Sequence, residues 1–288
     1  MPRTNPSRNP TILATALLVA LAFAAPSAAA TDLTGGVPNL APTITSVDLS
    51  SSSLAPTAGT TTALTVTVVA ADLNGFADIG SGVANAVTIG ILKPDGSTVH
   101  VAQSAATFSS GSGVSATYTK TLTLNYYDAA ATGGSTYKVK VVVTDSQAAA
   151  VDNLLALATF NYAQLAALNA PASVDTGSNI SPGSASSIAT MAVGNYGNIQ
   201  IDAQVSGTAP ANGANTVPVG SIAYSLASDM ASSTALTTTA SSISSFDLAG
   251  GSGSSKNLYW QMTMPSGASQ YVPAGTYTSV LTITAIAG

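Results

Sequence analysis

Beyond residue 30 the chain has no Cys, no Glu and no Arg, and its one His is His100. All twelve acids of the protein are Asp, and the five Lys are Lys93, Lys120, Lys138, Lys140 and Lys256. Thiol nucleophiles, disulfides and His- or Cys-based metal sites are excluded by residue type, and general acid–base chemistry has few groups to draw on. With twelve carboxylates against five ammonium groups, nothing is available to neutralise a phosphate backbone, so nucleic acid is excluded as a partner. An anionic membrane surface is excluded on the same ground. Without cysteine, stability has to come from apolar burial, which a chain of 288 residues supplies as one or two domains. The expected role is therefore non-catalytic.

The one long apolar run lies at the start. Arg3 and Arg8 precede Thr11 to Ala25, a run of signal-peptide length that is short for a membrane span. Pro26 breaks it, and Ser27-Ala28-Ala29-Ala30 offers small residues for cleavage after Ala30. Residues 1–30 are expected to be a cleaved signal peptide and the product to be extracellular or held at a cell surface. No further stretch approaches a membrane span, so none is expected in the mature chain.

What remains is rich in Ser, Thr, Ala, Gly and Val. Short alternating segments recur between Gly, Pro, Asn and Asp, the pattern of an all-β sandwich. Residues 31–41 form an extended leader or arm, and such a segment can add to the sheet edge of a neighbouring copy. A first domain is expected over 42–163. It holds strands from Pro42, over Thr61 to Ala70 with Leu64, Val66 and Val68 on one face, and over Ala116 to Asn125. Ala86 to Leu92 and Ser97 to Ala102 flank the hairpin turn Pro94-Asp95-Gly96. Tyr137 to Thr144 alternates Lys138 and Lys140 outward with Val139 and Val141 inward. Leu154 to Leu157 fits helix or strand, and Thr159 to Tyr162 reads as a closing strand. The second domain, 164–288, places Ser187 to Gly194 and Ile199 to Val205 about a second hairpin turn, Asn195-Tyr196-Gly197-Asn198. Strands at Ile222 to Leu226, Ser241 to Leu248, Asn257 to Met264 and Thr276 to Ile286 complete it.

The stretch Val66 to Ile79, the turn Pro94-Asp95-Gly96 and the strand Tyr137 to Gln147 resemble immunoglobulin-like modules of secreted prokaryotic proteins, including polycystic-kidney-type and cadherin-like ones. Ile180-Ser181-Pro182-Gly183, Asn195 to Asn198 and Ala274 to Thr278 look like β-sandwich modules of bacterial and archaeal surface proteins, the last being similar to the final strand of some pilus and spore-coat subunits. The resemblance implies two tandem immunoglobulin-like antiparallel sandwiches and a place at the cell surface. It implies no ligand.

Four groupings carry candidate chemistry. Asp72, Asn74 and Asp78 put three oxygen donors in one tight loop, and Asp145 or Asp152 can approach from a neighbouring loop. Clustered Asp and Asn suit calcium, which takes six to eight oxygens, so Asp72, Asn74, Asp78 and Asp145 are the candidate metal ligands and calcium the candidate cofactor. Asp, Asn and Gly are also the residues of ordinary turns. Asp175-Thr176-Gly177-Ser178 matches the aspartic-protease signature, but no second copy supplies the paired carboxylate. His100 lies between Val99 and Val101 and is expected to face solvent. Tyr259, Trp260, Tyr271 and Tyr277 could form a sugar platform, but neighbours in a strand face opposite ways, which puts Trp260 in the core and Tyr259 outside.

The expected product is an exported, non-catalytic structural or adhesive surface protein, a subunit of a filament, pilus or layer. A low-charge Ser/Thr/Ala surface suits packing against copies of itself, because few charges need desolvating. The alternatives are a polysaccharide- or calcium-dependent binding module and, remotely, an Asp-dependent hydrolase.

Overall fold

A computed structural model describes residues 35–80, 83–153, 158–266 and 272–288. The expected signal peptide over residues 1–30, residues 31–34, Leu154 to Leu157 and Tyr271 lie outside the described residues. The described chain is all-β. Asn39–Gly288 form one compact unit.

Ten strands fall in the first half: β1 Thr43–Leu49, β2 Ser53–Leu54, β3 Thr61–Ala71, β4 Val87–Leu92, β5 Val99–Ala105, β6 Thr107–Ser112, β7 Ser115–Asn125, β8 Tyr137–Thr144, β9 Ala150–Asp152 and β10 Ala158–Tyr162. They build a four-stranded sheet, β1-β3-β7-β6, and a six-stranded one, β2-β10-β8-β4-β5, with β9 on β8. All neighbours are antiparallel except β2 and β10, which run parallel. Strict alternation explains the packing. Leu64, Val66, Val68 and Ala70 of β3 are fully buried, as are Val139, Val141 and Val143 of β8, while Lys138 and Lys140 turn outward. Both sheets point their apolar faces at one core, closed by Tyr137, Phe160 and Tyr162. Burying each Val or Leu contributes about 1.5–3 kcal/mol, and β-branched residues suit the pleat.

Asp95 builds the β4–β5 hairpin. Its Oδ1 accepts the N–H groups of Ser97 and Thr98, both at 2.7 Å, and Gly96 supplies a φ of +76°. Hydrogen bonds from Thr98 and Ser97 hold its carboxyl well below the usual Asp range.

The second half adds β11 Leu168–Asn169, β12 Ala189–Asn195, β13 Ile201–Gly207, β14 Ala211–Asn212, β15 Asn215–Thr216, β16 Ile222–Ser225, β17 Thr234–Ala235, β18 Ser241–Ser242, β19 Ser255–Met262 and β20 Leu281–Ala287. One sheet runs β11-β12-β19-β16-β17, another β18-β13-β20, and β14–β15 is a separate small hairpin. The core between them holds Val193, Val205, Leu258, Phe246 and Trp260. It shares no buried residue with the first core.

The structure corrects one expected hairpin. β12 and β13 do not pair, because β12 lies on β19 and β13 on β20. Asn195-Tyr196-Gly197-Asn198 is instead a crossover between the two sheets. Asn195 is buried, and its Nδ2 donates to the carbonyls of Ile199, Ala249 and Leu248 at 2.8, 3.0 and 3.2 Å. Its Oδ1 accepts the N–H of Gly197 at 2.7 Å. One side chain thus satisfies the backbone groups that the change of sheet strands. Next in the chain, Asn198 ties the crossover to the segment entering the second half, accepting Leu165 N–H at 2.7 Å and donating to Ala163 C=O at 2.9 Å. Tyr196 packs against Tyr126 of the first half, the rings tilted by 35° at 5.4 Å between centroids.

The buried Asn195 and the half-buried Asp202 of this half each carry a testable consequence. Asn195→Ala strands the buried Gly197 N–H and the carbonyls of Ile199 and Ala249 and should cost about 2–4 kcal/mol in urea unfolding. Asp202 of β13 is held above the ordinary Asp value by desolvation, then by its contact with Asp247, against the pull of Lys256. A folded carboxyl that holds its proton more tightly than the unfolded one contributes stability at low pH and loses it as pH rises through the folded value. Asp202→Asn should therefore raise Tm at neutral pH, with the gain vanishing by about pH 3, below the ordinary Asp value.

A candidate cation site at the end of the first sandwich

The loop after β3 is shaped by Asp72. Its N–H donates to Val114 C=O at 2.8 Å, its Oδ1 accepts Asn74 N–H at 2.7 Å and its C=O accepts Gly75 N–H at 3.0 Å. Gly75 sits at φ +110°, which a side chain would strain, and turns the chain into a single 3-10 turn, Phe76–Ile79. That turn is seated by Ile79, fully buried, and by the Phe76 ring lying on Gly111 of β6, where any Cβ would collide. Asp78 is fixed in consequence. The β8–β9 turn reaches the same place: Ser146 N–H donates to Asp78 C=O at 2.9 Å and Ser146 Oγ donates to Asp78 Oδ1.

Asp145 opens that turn and is buried. Its Oδ1 accepts Ala149 N–H at 2.8 Å and Gln147 N–H at 2.9 Å, and its Oδ2 accepts Asn39 Nδ2 at 2.9 Å. Burial pushes its carboxyl up, but the bonds from Asn39, Ala149 and Gln147 prevail and hold it below the usual value. One carboxylate oxygen from each of Asp72, Asp78 and Asp145 falls within 4.8 Å of the others. Three of the four residues expected to bind a cation are thus brought together from two loops 67 residues apart in sequence (Asp78 to Asp145). Asn74, the fourth, uses Oδ1 to accept Leu40 N–H at 2.7 Å, which ties the incoming arm to the loop. Asp152 pairs with Val142 at the end of β9 and is not one of the three.

The other groupings resolve differently. Asp175 is exposed and caps its own turn, accepting Gly177 N–H at 2.8 Å. Trp260 is fully buried against Tyr224 and Tyr259 faces outward, as strand alternation requires. Tyr277 donates to Pro273 C=O at 3.1 Å. His100 does not face solvent. Its Nε2 lies 3.1 Å from Asp128 Oδ2 and its ring packs 5.0 Å from Tyr137. The β4–β5 register skips His100, since Ile91 pairs with Val101 and Leu92 with Val99, and the partner that holds it comes from the β7–β8 loop, which local alternation does not reveal. With Lys93, Pro94 and Tyr127 these groups line a shallow cleft of about 270 Å³, smaller than the usual small-molecule pocket.

The chain matches no known protein family, and no curated protein matches it. Among solved structures it is similar to dimeric latent PorU from Porphyromonas gingivalis, at 17% identity and a TM-score of 0.30, over 88% of this chain and 21% of that one. The chain therefore spans about a fifth of that protein's length. Among the described residues no helix is long and apolar enough to cross a membrane.

Tyr137 donates to Ala129 C=O at 2.9 Å, and burial, then the nearby Asp128 and Tyr162, pushes its pKa up to about 12. In an alkaline titration followed by tyrosinate absorbance, Tyr137→Phe should remove a late step near that pH and leave the steps near the ordinary Tyr value unchanged. The unfolded chain ionises this group first, so the wild type should lose stability between the ordinary Tyr value, about 10, and the folded value.

Proposed function

We propose that this is an exported, non-catalytic structural or adhesive protein of the cell surface, built of two tandem immunoglobulin-like sandwiches and able to assemble with copies of itself. One observation carries the reading: the outer face of the β1-β3-β7-β6 sheet is a hydroxyl-rich plane almost without charge. Cross-strand rows run Asp48–Thr67–Thr119–Thr107 and Ser46–Val69–Thr117–Ser110, followed by Thr65–Thr121 and Ala63–Thr123. Asp48 is the charged residue in these rows. Long charged side chains would cost rotamer entropy and desolvation when covered, whereas Thr, Ser and Ala lose little of either. Such a face suits close packing of sheet on sheet better than recognition of a charged ligand.

The mature chain, residues 31–288, should form filaments, layers or discrete oligomers when concentrated, seen by electron microscopy and light scattering. Thr65→Lys with Thr121→Lys places two like charges opposite one another on the exposed face, and should shift the population to monomer without loss of fold by circular dichroism. A wild type that stays monomeric at high concentration sinks the assembly reading.

A further inference from the structure

We infer that Asp72, Asp78 and Asp145 form a calcium site that clasps the ends of two loops of the first sandwich. The inference does not depend on self-assembly. Three carboxylates share one small volume, and none of them has a Lys or His partner among the described residues. Proximity of acids alone would not make a site. The second observation is Asp72 itself: it is 1% exposed, Oδ1 is taken by Asn74 N–H, and Oδ2 is buried with no hydrogen-bond partner. A buried carboxylate oxygen left without a donor is costly, and folded proteins rarely leave one so. A bound cation removes both problems at once, supplying the missing partner and offsetting the mutual repulsion.

The geometry suits calcium. Oxygens on opposite sides of Ca²⁺ lie about 5 Å apart, twice its usual 2.3–2.6 Å bond, and the three carboxylate oxygens fit inside that span. Three carboxylates bound through one or two oxygens each provide about three to six of the six to eight ligands, with water for the remainder. Mg²⁺ demands a tighter octahedron and keeps most of its water, so it is the poorer fit. The scaffold is already set. Gly75 turns the first loop, Phe76 and Ile79 seat the 3-10 turn, and the Asp145 carboxylate is oriented by Asn39, Gln147 and Ala149. Binding therefore orders little that is not already ordered.

The test uses the mature chain after dialysis against EDTA, titrated with Ca²⁺ and separately with Mg²⁺ by calorimetry and thermal unfolding. Extracellular calcium modules bind at about 10⁻⁴–10⁻³ M, so the titration should run to about 10 mM. The expected result is one saturable calcium site and a Tm rise of roughly 3–10 °C at about 10 mM calcium, which is a tenfold to hundredfold excess over such a Kd, with a weaker response to Mg²⁺. Asp72→Asn and Asp78→Asn should each weaken calcium binding at least tenfold, by about 1.4 kcal/mol or more. Asp175→Asn, in an exposed turn outside the cluster, should bind like the wild type. If Asp72→Asn does not fold, the half-buried Asp78→Asn carries the comparison, its fold checked by circular dichroism. Absence of heat and of any Tm change at about 10 mM calcium would overturn the proposal, as would unchanged binding in Asp78→Asn. An equal or larger response to Mg²⁺ would overturn the assignment to calcium.

Discussion

The described structure depends on burying one face of its strands without any covalent staple. There is no cysteine to constrain the unfolded chain, so alternating Val, Leu, Ile and aromatic side chains have to offset the backbone entropy by themselves. The chain meets this with two separate cores, one between the β1-β3-β7-β6 sheet and its six-stranded partner, the other around Trp260. Because the apolar residues are committed to the interior, the outer faces fall to Thr, Ser and Ala. A sparsely charged exterior is thus the other side of the same alternation.

The polar groups that are buried sit where regular pairing stops. Asn195 carries the chain from one sheet to the other by satisfying three carbonyls and an N–H. Asn153 plays a comparable part beside β8, its Oδ1 accepting Val141 N–H at 2.8 Å and its Nδ2 donating to Val139 C=O at 2.9 Å. Asp72 and Asp145 shape two adjoining loop ends in the same way, with their own backbones as partners. They differ from the asparagines in carrying charge, and Asp72 keeps one buried oxygen without a donor. Structural asparagine is enough where a turn only needs hydrogen bonds. Three acids brought together invite a positive partner, and that contrast within one molecule is the strongest reason to read the cluster as a cation site.

Sequence made the strands legible where the period of two was strict. Leu64, Val66 and Val68 and the Lys138–Val141 alternation read directly as half-buried strands because both faces are marked. The Pro94-Asp95-Gly96 hairpin was equally plain, since Asp95 and Gly96 serve the turn within four residues. Asn195-Tyr196-Gly197-Asn198 carries the same local signal, yet it is a crossover. Which sheet β12 and β13 join is decided by β19 and β20, more than 50 residues away, and a turn motif holds no information about that. The very short strands β2, β9 and β17 are likewise defined by their partners rather than by any pattern of their own. In the acidic cluster, Asp72 and Asp78 are legible as a local pair, and Asp145 is legible only as an acid of a neighbouring loop. His100 could not be placed from Val99 and Val101, because Asp128 and Tyr137 determine its position.

The central claim is that one ion clasps two loops, one of which holds the incoming arm through Asn74, and hydrogen–deuterium exchange with and without calcium tests it most directly. The account predicts that calcium slows exchange together in Asp72–Asp78, in Asp145–Ala149 and at Leu40, whose N–H is bound by Asn74, while the strands of the second half around Trp260 are unaffected. Exchange that is unchanged in those three segments, or slowed evenly over the whole chain, would contradict it.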